Sequence, residues 1–168
     1  MILAFKERGR TDIAKALAEP LRAAIETAAL GSTGSVEVCT VPSSKEAWRR
    51  RGYRPVDILV RAAGFRVAAV LAHPAATREQ KLLDRAQRDA NLRGAFRAAA
   101  SSRGRCFVIV DDVVTSGATL LEAARALRDG GAEVVAAATL AFTPRRQGAE
   151  STFWAGARDI HSHGGYGG

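Results

Sequence analysis

Val108-Ile109-Val110-Asp111-Asp112-Val113-Val114-Thr115-Ser116-Gly117-Ala118-Thr119 is the stretch on which the reading of this chain turns. An apolar, strand-like run enters two aspartates and then a Thr-Ser-Gly-Ala-Thr turn that opens a helix. A buried strand fixes where a loop begins, and in open parallel sheets ligands bind beyond the carboxyl ends of the strands. The turn offers consecutive backbone N–H groups, the hydroxyls of Thr115, Ser116 and Thr119, and a helix N-terminus, which together form a phosphate cradle. Gly117 permits close approach of the backbone to a ligand. Asp111 and Asp112 repel phosphate. They suit hydrogen bonds from sugar hydroxyls, or a hold on Mg²⁺ through its waters. Phosphate at one end and a diol at the other describe a ribose 5-phosphate.

Working outward, Cys106 to Val110 reads as a buried strand and Gly117 to Asp129 as a helix. That helix turns Leu120, Leu121, Ala124 and Leu127 inward and ends at Gly130-Gly131. Glu133 to Phe142 is the following strand. Upstream, Thr11 or Asp12 caps a helix carrying Ile13, Ala14, Leu17, Leu21 and Ile25, which Pro20 is expected to kink or divide. Val36 to Val41 is a strand ended by Pro42, and Ser43 to Arg54 is a basic loop. Pro55 opens a helix with Asp57 in its first turn and Ile58, Leu59 and Ala62 facing inward, stopped by Gly64. Arg66 to Leu71 reads as a strand buried on both faces, because its core shows no polar alternation. His73 to Thr77 is a loop, Glu79 to about Phe96 an arginine-rich helix interrupted near Gly94, and Ser101 to Arg105 a turn. Strands alternating with helices imply right-handed crossovers and a parallel sheet, an α/β fold. One domain over residues 1–168 is expected, with a flexible Gly/His-rich tail from about 156. Thr152-Phe153-Trp154 reads as one more short strand, and His161 with His163 is too isolated for a metal site.

The chain has 168 residues, enough for one sizeable core, with 25 Lys and Arg against 17 Asp and Glu. The excess of +8 favours polyanions without choosing among phosphorylated metabolites, nucleic acid and an acidic partner, and a solvated basic face satisfies it equally. The apolar stretches are strand-length, so no membrane span is expected. The two cysteines, Cys39 and Cys106, sit in strand-like runs as buried thiols. No Cys-x-x-Cys pair exists, which excludes a zinc knuckle. With a start too short and too soon charged for a secretion signal, these features point to a reducing, cytoplasmic setting.

The central stretch, with Phe107 to Val110 filling four apolar positions before the acidic pair, resembles the signature of the type I phosphoribosyltransferases. Thr77-x-x-Gln80-x-x-Leu83 followed by Arg88-x-x-Asn91-x-x-x-Ala95-Phe96 resembles the hallmark of their ComF family. Lys6-x-x-Gly9-Arg10 and Val41-Pro42…Arg49-x-Arg51-Gly52-Tyr53 are similar to that family as well. Two features depart from it. Many members carry an N-terminal cysteine-rich zinc module, which is lacking here, and many have Asn where Arg54 stands.

The resemblance implies a type I phosphoribosyltransferase-like fold, with a central, mainly parallel sheet flanked by helices and a small hood from the N- and C-terminal segments. It implies a phosphoribosyl pyrophosphate (PRPP) or ribose 5-phosphate nucleotide ligand, held with Mg²⁺ as cofactor at Asp111 and Asp112 and by Val113, Val114, Thr115, Ser116, Gly117, Ala118 and Thr119. The loop Pro42-Ser43-Ser44-Lys45 would bind pyrophosphate, with Ser43 and Ser44 donating and Lys45 or Arg49 neutralising. Arg78 would lie in a mobile loop that closes over the ligand and would supply a cation to the leaving pyrophosphate, while Arg85 and Arg88 would sit on a solvated helix face or pair with Asp84 and Asp89. The implied reaction is transfer of ribose 5-phosphate to a nitrogenous base, a step of nucleotide metabolism, with Trp154 stacking on the base or serving in a core or lid. The ComF likeness also implies a role in competence and DNA uptake without turnover, or PRPP sensing. Arg49-Arg50-Arg51…Arg54 with Trp48 and Tyr53 suits single-stranded DNA and a pyrophosphate loop alike. Homodimers are common in related folds.

Overall fold

A computed structural model of the chain describes residues 11–74 and 92–143. Its elements in order are α1 (Thr11–Ala29), β1 (Val36–Thr40), α2 (Lys45–Arg51), α3 (Pro55–Ala62), β2 (Leu71–Ala72), β3 (Arg97–Ala98), a 3₁₀ turn (Ala100–Ser102), β4 (Cys106–Val114), α4 (Ala118–Asp129) and β5 (Glu133–Phe142).

The architecture is α/β, with a parallel sheet in the order β1-β4-β5 flanked by helices. β4 is central and alternates its side chains between two cores. Val108 and Val110 face α1 and α3, joining Ala14, Leu17, Leu21, Ile25, Leu59 and Val60. Phe107 and Ile109 face the other side, joining Leu120, Ala123, Ala126 and Leu127 of α4. Burial on both faces explains why β4 begins as an unbroken apolar run.

Several expectations are corrected. α1 is one helix through Pro20, which is exposed; the apolar stripe of Ala14, Leu17, Leu21 and Ile25 packs along its whole length and keeps it continuous. The basic loop contains α2. Ser44 caps it by accepting a bond from Ala47 N at 3.1 Å, Arg49, Arg50 and Arg51 fill its last turn, and Gly52 at φ 71° ends it by donating to Trp48 O. In α3, Val56, Leu59 and Val60 are buried, as is Ala63 at its C-cap, whereas Ala62 is exposed. The strand expected over Arg66 to Leu71 reduces to a single parallel bridge, Val67 to Val38. A tight turn, with Val70 N donating to Ala68 O at 2.9 Å, bends the chain away from β1, and Leu71-Ala72 then pairs antiparallel with β3. β4 runs four residues past its expected end, because Asp111, Val113 and Val114 stay paired with β5. On α4, Leu121 is 58% exposed, and Ala123 and Ala126 take the inward positions. Leu92 to Phe96 passes through a turn at Arg93-Gly94 rather than continuing a helix; the rest of that expected helix, the terminal hood and the tail lie outside the described residues.

Cys39 is buried, and burial pushes its thiol up to about 12. Cys106 is only half-buried, correcting that expectation. Its Sγ donates to Glu133 Oε2 at 3.2 Å, which raises its pKa.

Candidate functional site

The central strand delivers the Thr115-Ser116-Gly117 turn. After Val114 the chain bends through Thr115, Ser116 and Gly117 into α4. Thr115 and Ser116 are exposed. Gly117 is buried at φ 73°, the left-handed region that a side chain opposes. The first bond of α4 runs from Leu121 N to Gly117 O at 2.9 Å, so the amides before Leu121 have no partner within the helix. Ser116 Oγ lies 3.5 Å from Ala118 N, at the outer limit of a bond. Asp111 Oδ1 accepts from Asp112 N at 2.9 Å, and Asp112 Oδ1 accepts from Val113 N at 2.8 Å. Asp112 is 2% exposed and Asp111 half-buried, so Asp111 is the more accessible of the pair.

The loop after β1 starts beside the acidic end of β4, because Val41 N donates to Val110 O at 3.2 Å, next to Asp111. Thr40 Oγ1 donates to Asp57 Oδ1 at 2.7 Å and fastens the end of β1 to α3, while Asp57 pairs with Arg54 at 4.0 Å. Ser43 is half-buried and Ser44 exposed. Ser44 accepts from Ala47 N, which leaves its hydroxyl proton free to donate. Lys45 opens α2, but its side chain lies outside the described groups. Past Ser43 an open cleft of about 410 Å³ is lined by Trp48, Arg49, Arg54 and His73. The Trp48 indole is 51% exposed.

The opposite wall of the cleft is the stem of a hairpin. Leu71 and Ala72 pair with Ala98 and Arg97, and His73 Nδ1 lies 3.2 Å from Ala95 O. A carbonyl only accepts, so Nδ1 carries a proton in this bond. The imidazole also stands against Phe96, ring centroids 5.2 Å apart. Glu122 ties this stem to α4. It is 6% exposed, accepts from Gly94 N at 2.7 Å and takes a two-pronged bond from Arg125, with both contacts at 2.7 Å. Arg125 first, then the Gly94 and Phe96 amides, hold the Glu122 carboxyl below its ordinary range against the opposing effect of burial.

Asp111, Asp112, Val113, Val114, Thr115, Ser116, Gly117, Ala118 and Thr119 thus form one continuous strand–turn–helix, with Ser43 and Ser44 on the loop that joins the neighbouring strand β1 to α2. Arg78 lies outside the described residues, as do Arg85, Arg88, Trp154, His161 and His163. Sequence reading missed His73 and Glu122. His73 carried one usable signal, a titratable aromatic placed just beyond an apolar run. Glu122 carried none, since a lone acid among alanines reads as a solvated helix position.

The profile of the family described as phosphoribosyl transferase domain matches residues 49–167. The DNA utilization protein YhgH of Escherichia coli K12 is 34% identical over 103 residues, 58% of this chain and 45% of that protein. The protein of the same name from Salmonella typhi is 35% identical over 135 residues, 75% of this chain and 59% of that one. The chain spans about half the length of these curated relatives. Among solved structures, one described as the allosteric regulatory enzyme of purine biosynthesis is similar at 22% identity and a TM-score of 0.41, over 73% of this chain and 26% of that chain. The chain belongs to the phosphoribosyl transferase domain family.

Proposed function

We propose that this protein binds PRPP with Mg²⁺ across the ends of β1 and β4. The observation that carries the reading is the exposed Thr115-Ser116 turn, with left-handed Gly117 opening α4 directly after an acidic strand end. The amides and hydroxyls of Thr115 to Thr119 take the 5-phosphate. Asp111 accepts from the ribose hydroxyls, while Asp112, through Val113 N, holds the strand end in shape. Ser43 and Ser44 donate to the pyrophosphate, with Lys45 or Arg49 supplying positive charge.

The donor set fits Mg²⁺. Among the described residues no group of three or more His, Cys, Asp or Glu comes together. Mg²⁺ is commonly held by one or two carboxylates plus substrate phosphates, which Asp111, Asp112 and a bound diphosphate provide. When bound, the ion would neutralise charge on the diphosphate.

In the enzymatic form of this reading, the bond from the anomeric carbon to pyrophosphate breaks, a nitrogen nucleophile bonds to that carbon, and its proton leaves to solvent. Asp111 orients the ribose as positive charge develops at the ring, and Arg49, with Arg78, stabilises the departing anion. Screening nucleobases for pyrophosphate release from PRPP tests this form. Release that depends on one base is expected; PRPP binding with no release under any base leaves a binding or sensing protein.

A second reading is favoured by exposed Trp48 beside Arg49 and Arg54, and by relatives named for DNA utilization. An indole among guanidinium groups suits the stacking and charge of single-stranded DNA. Its affinity would fall steeply between 50 and about 200 mM salt. Undiminished binding at high salt would contradict it.

A further inference from the structure

Arg54 stands at a position whose local chemistry asks for a different residue. It is the N-cap of α3, and its side chain makes no capping bond. Asn, Asp, Ser and Thr accept from the free amides of a helix at that position, whereas a guanidinium only donates. The side chain instead lines the cleft past Ser43, together with Arg49 and Trp48. It is 48% exposed and so open to a ligand in the cleft. Among the described residues it pairs with Asp57, whose Oδ2 lies 4.0 Å from Nη1. That distance gives attraction but is too long for a hydrogen bond, so the donors of the fork stay available. Asp57 is itself anchored, because its Oδ1 accepts from Thr40 Oγ1 at 2.7 Å, at the last residue of β1. One largely covered carboxylate thus serves both the strand end that leads into Pro42-Ser43-Ser44 and a cation that lines the cleft.

We propose that Arg54 is a binding residue for the diphosphate end of the ligand, and that Asp57 is the residue that positions it. This rests on the reading of the loop after β1 as the one that takes pyrophosphate. A planar fork of donors matches phosphoryl oxygens, and a second guanidinium in the same cleft as Arg49 suits a ligand with several negative charges on two phosphoryl groups. Asp57 acts in two opposed ways. Its charge draws the Arg54 head toward one place, so less of a long side chain remains to be ordered when the ligand arrives. The same charge repels an anion. The first effect requires Arg54 and the second does not. Removing the Asp57 charge should therefore weaken binding while Arg54 is present, and should not weaken it once Arg54 is gone.

The test is calorimetric titration of the full chain with inorganic pyrophosphate, comparing wild type, Arg54→Asn, Asp57→Asn and the double variant. Arg54→Asn places a good capping residue at an exposed N-cap, so its unfolding midpoint should match or exceed that of wild type, and a loss of affinity is then not a loss of fold. Asp57→Asn keeps a side-chain oxygen to accept from Thr40. Affinity should fall about tenfold in Arg54→Asn. It should fall about threefold in Asp57→Asn. The double variant should bind no more weakly than Arg54→Asn alone, and Arg54→Lys, which keeps the charge without the fork, should recover part of the loss. A wild-type readout covers the case in which Asp57→Asn does not fold: the Arg54 Nε–H resonance, identified by its loss in Arg54→Asn, should be that of an ordered group before ligand is added. A mobile Arg54 in the free protein, or equal weakening by Asp57→Asn in both backgrounds, would overturn the positioning role of Asp57. Pyrophosphate bound equally by wild type and Arg54→Asn would overturn the proposal and leave the reading of the loop standing. Absence of pyrophosphate binding by the wild type would overturn both.

Discussion

Glu122 shows how much one side chain can hold together. It joins α4, the helix that opens at Gly117, to the hairpin stem that carries His73. Removing its carboxylate in Glu122→Ala leaves Gly94 N without this acceptor and should cost about 2 kcal/mol of stability. Its pH dependence has a definite sign. The folded-state carboxyl sits below its ordinary 4.5, so its stabilisation is complete above that value and is lost as pH falls through the lower, folded-state value. Glu122→Gln should therefore be less stable than wild type at pH 7, and the gap in unfolding midpoint should close on acidification below about pH 4.5. A gap that widens in acid would contradict the assignment. The sequence gives no hint of this residue's position, since its partners Gly94 and Phe96 come from a turn whose place is set by β2–β3 pairing.

At the scale of elements, the parallel strands and their flanking helices were legible wherever a residue pattern and its packing agree. β5 spans the residues expected, and α3 opens at Pro55 as its first-turn chemistry requires. The departures come where tertiary contacts override local signals. β4 outlasts its apolar run because β5 offers partners as far as Phe142, and α1 ignores Pro20 because its apolar stripe is gripped by β5 and α3. Pro20 still removes one helical N–H at an exposed position, so Pro20→Ala should raise stability by about 1–2 kcal/mol in chemical denaturation. α4 gives the complementary contrast. Leu127→Ala, fully buried, should cost about 2–5 kcal/mol, whereas Leu121→Glu should stay within about 0.5 kcal/mol despite the equal hydrophobicity of the two wild-type residues. α2 was missed although its signals are complete, from Ser44 at one end to Gly52 at the other, because its arginine-rich body resembles a solvated loop.

Across the whole molecule, the sheet lies between two layers of helices; β4 runs four residues past Val110, the partner of the last residue of β1, and a basic cleft opens past Ser43 on the loop after β1. No helix among the described residues is long and apolar enough to cross a membrane. The net charge of +8 fits a polyanionic partner but is shared by every reading of this surface, which is why charge alone did not choose among them. What distinguishes the readings is whether Thr115 to Thr119 holds a ribose 5-phosphate. Gly117 offers the sharpest handle, because a β-branched residue at φ 73° is strained by about 1–3 kcal/mol and crowds the cradle. Calorimetric titration of the wild-type chain and of folded Gly117→Val with PRPP and Mg²⁺ is the most direct measurement. One saturable site in the wild type, lost in the variant and competed by ribose 5-phosphate, is the predicted result; wild-type protein that takes up no PRPP with Mg²⁺ present would contradict the account at its centre.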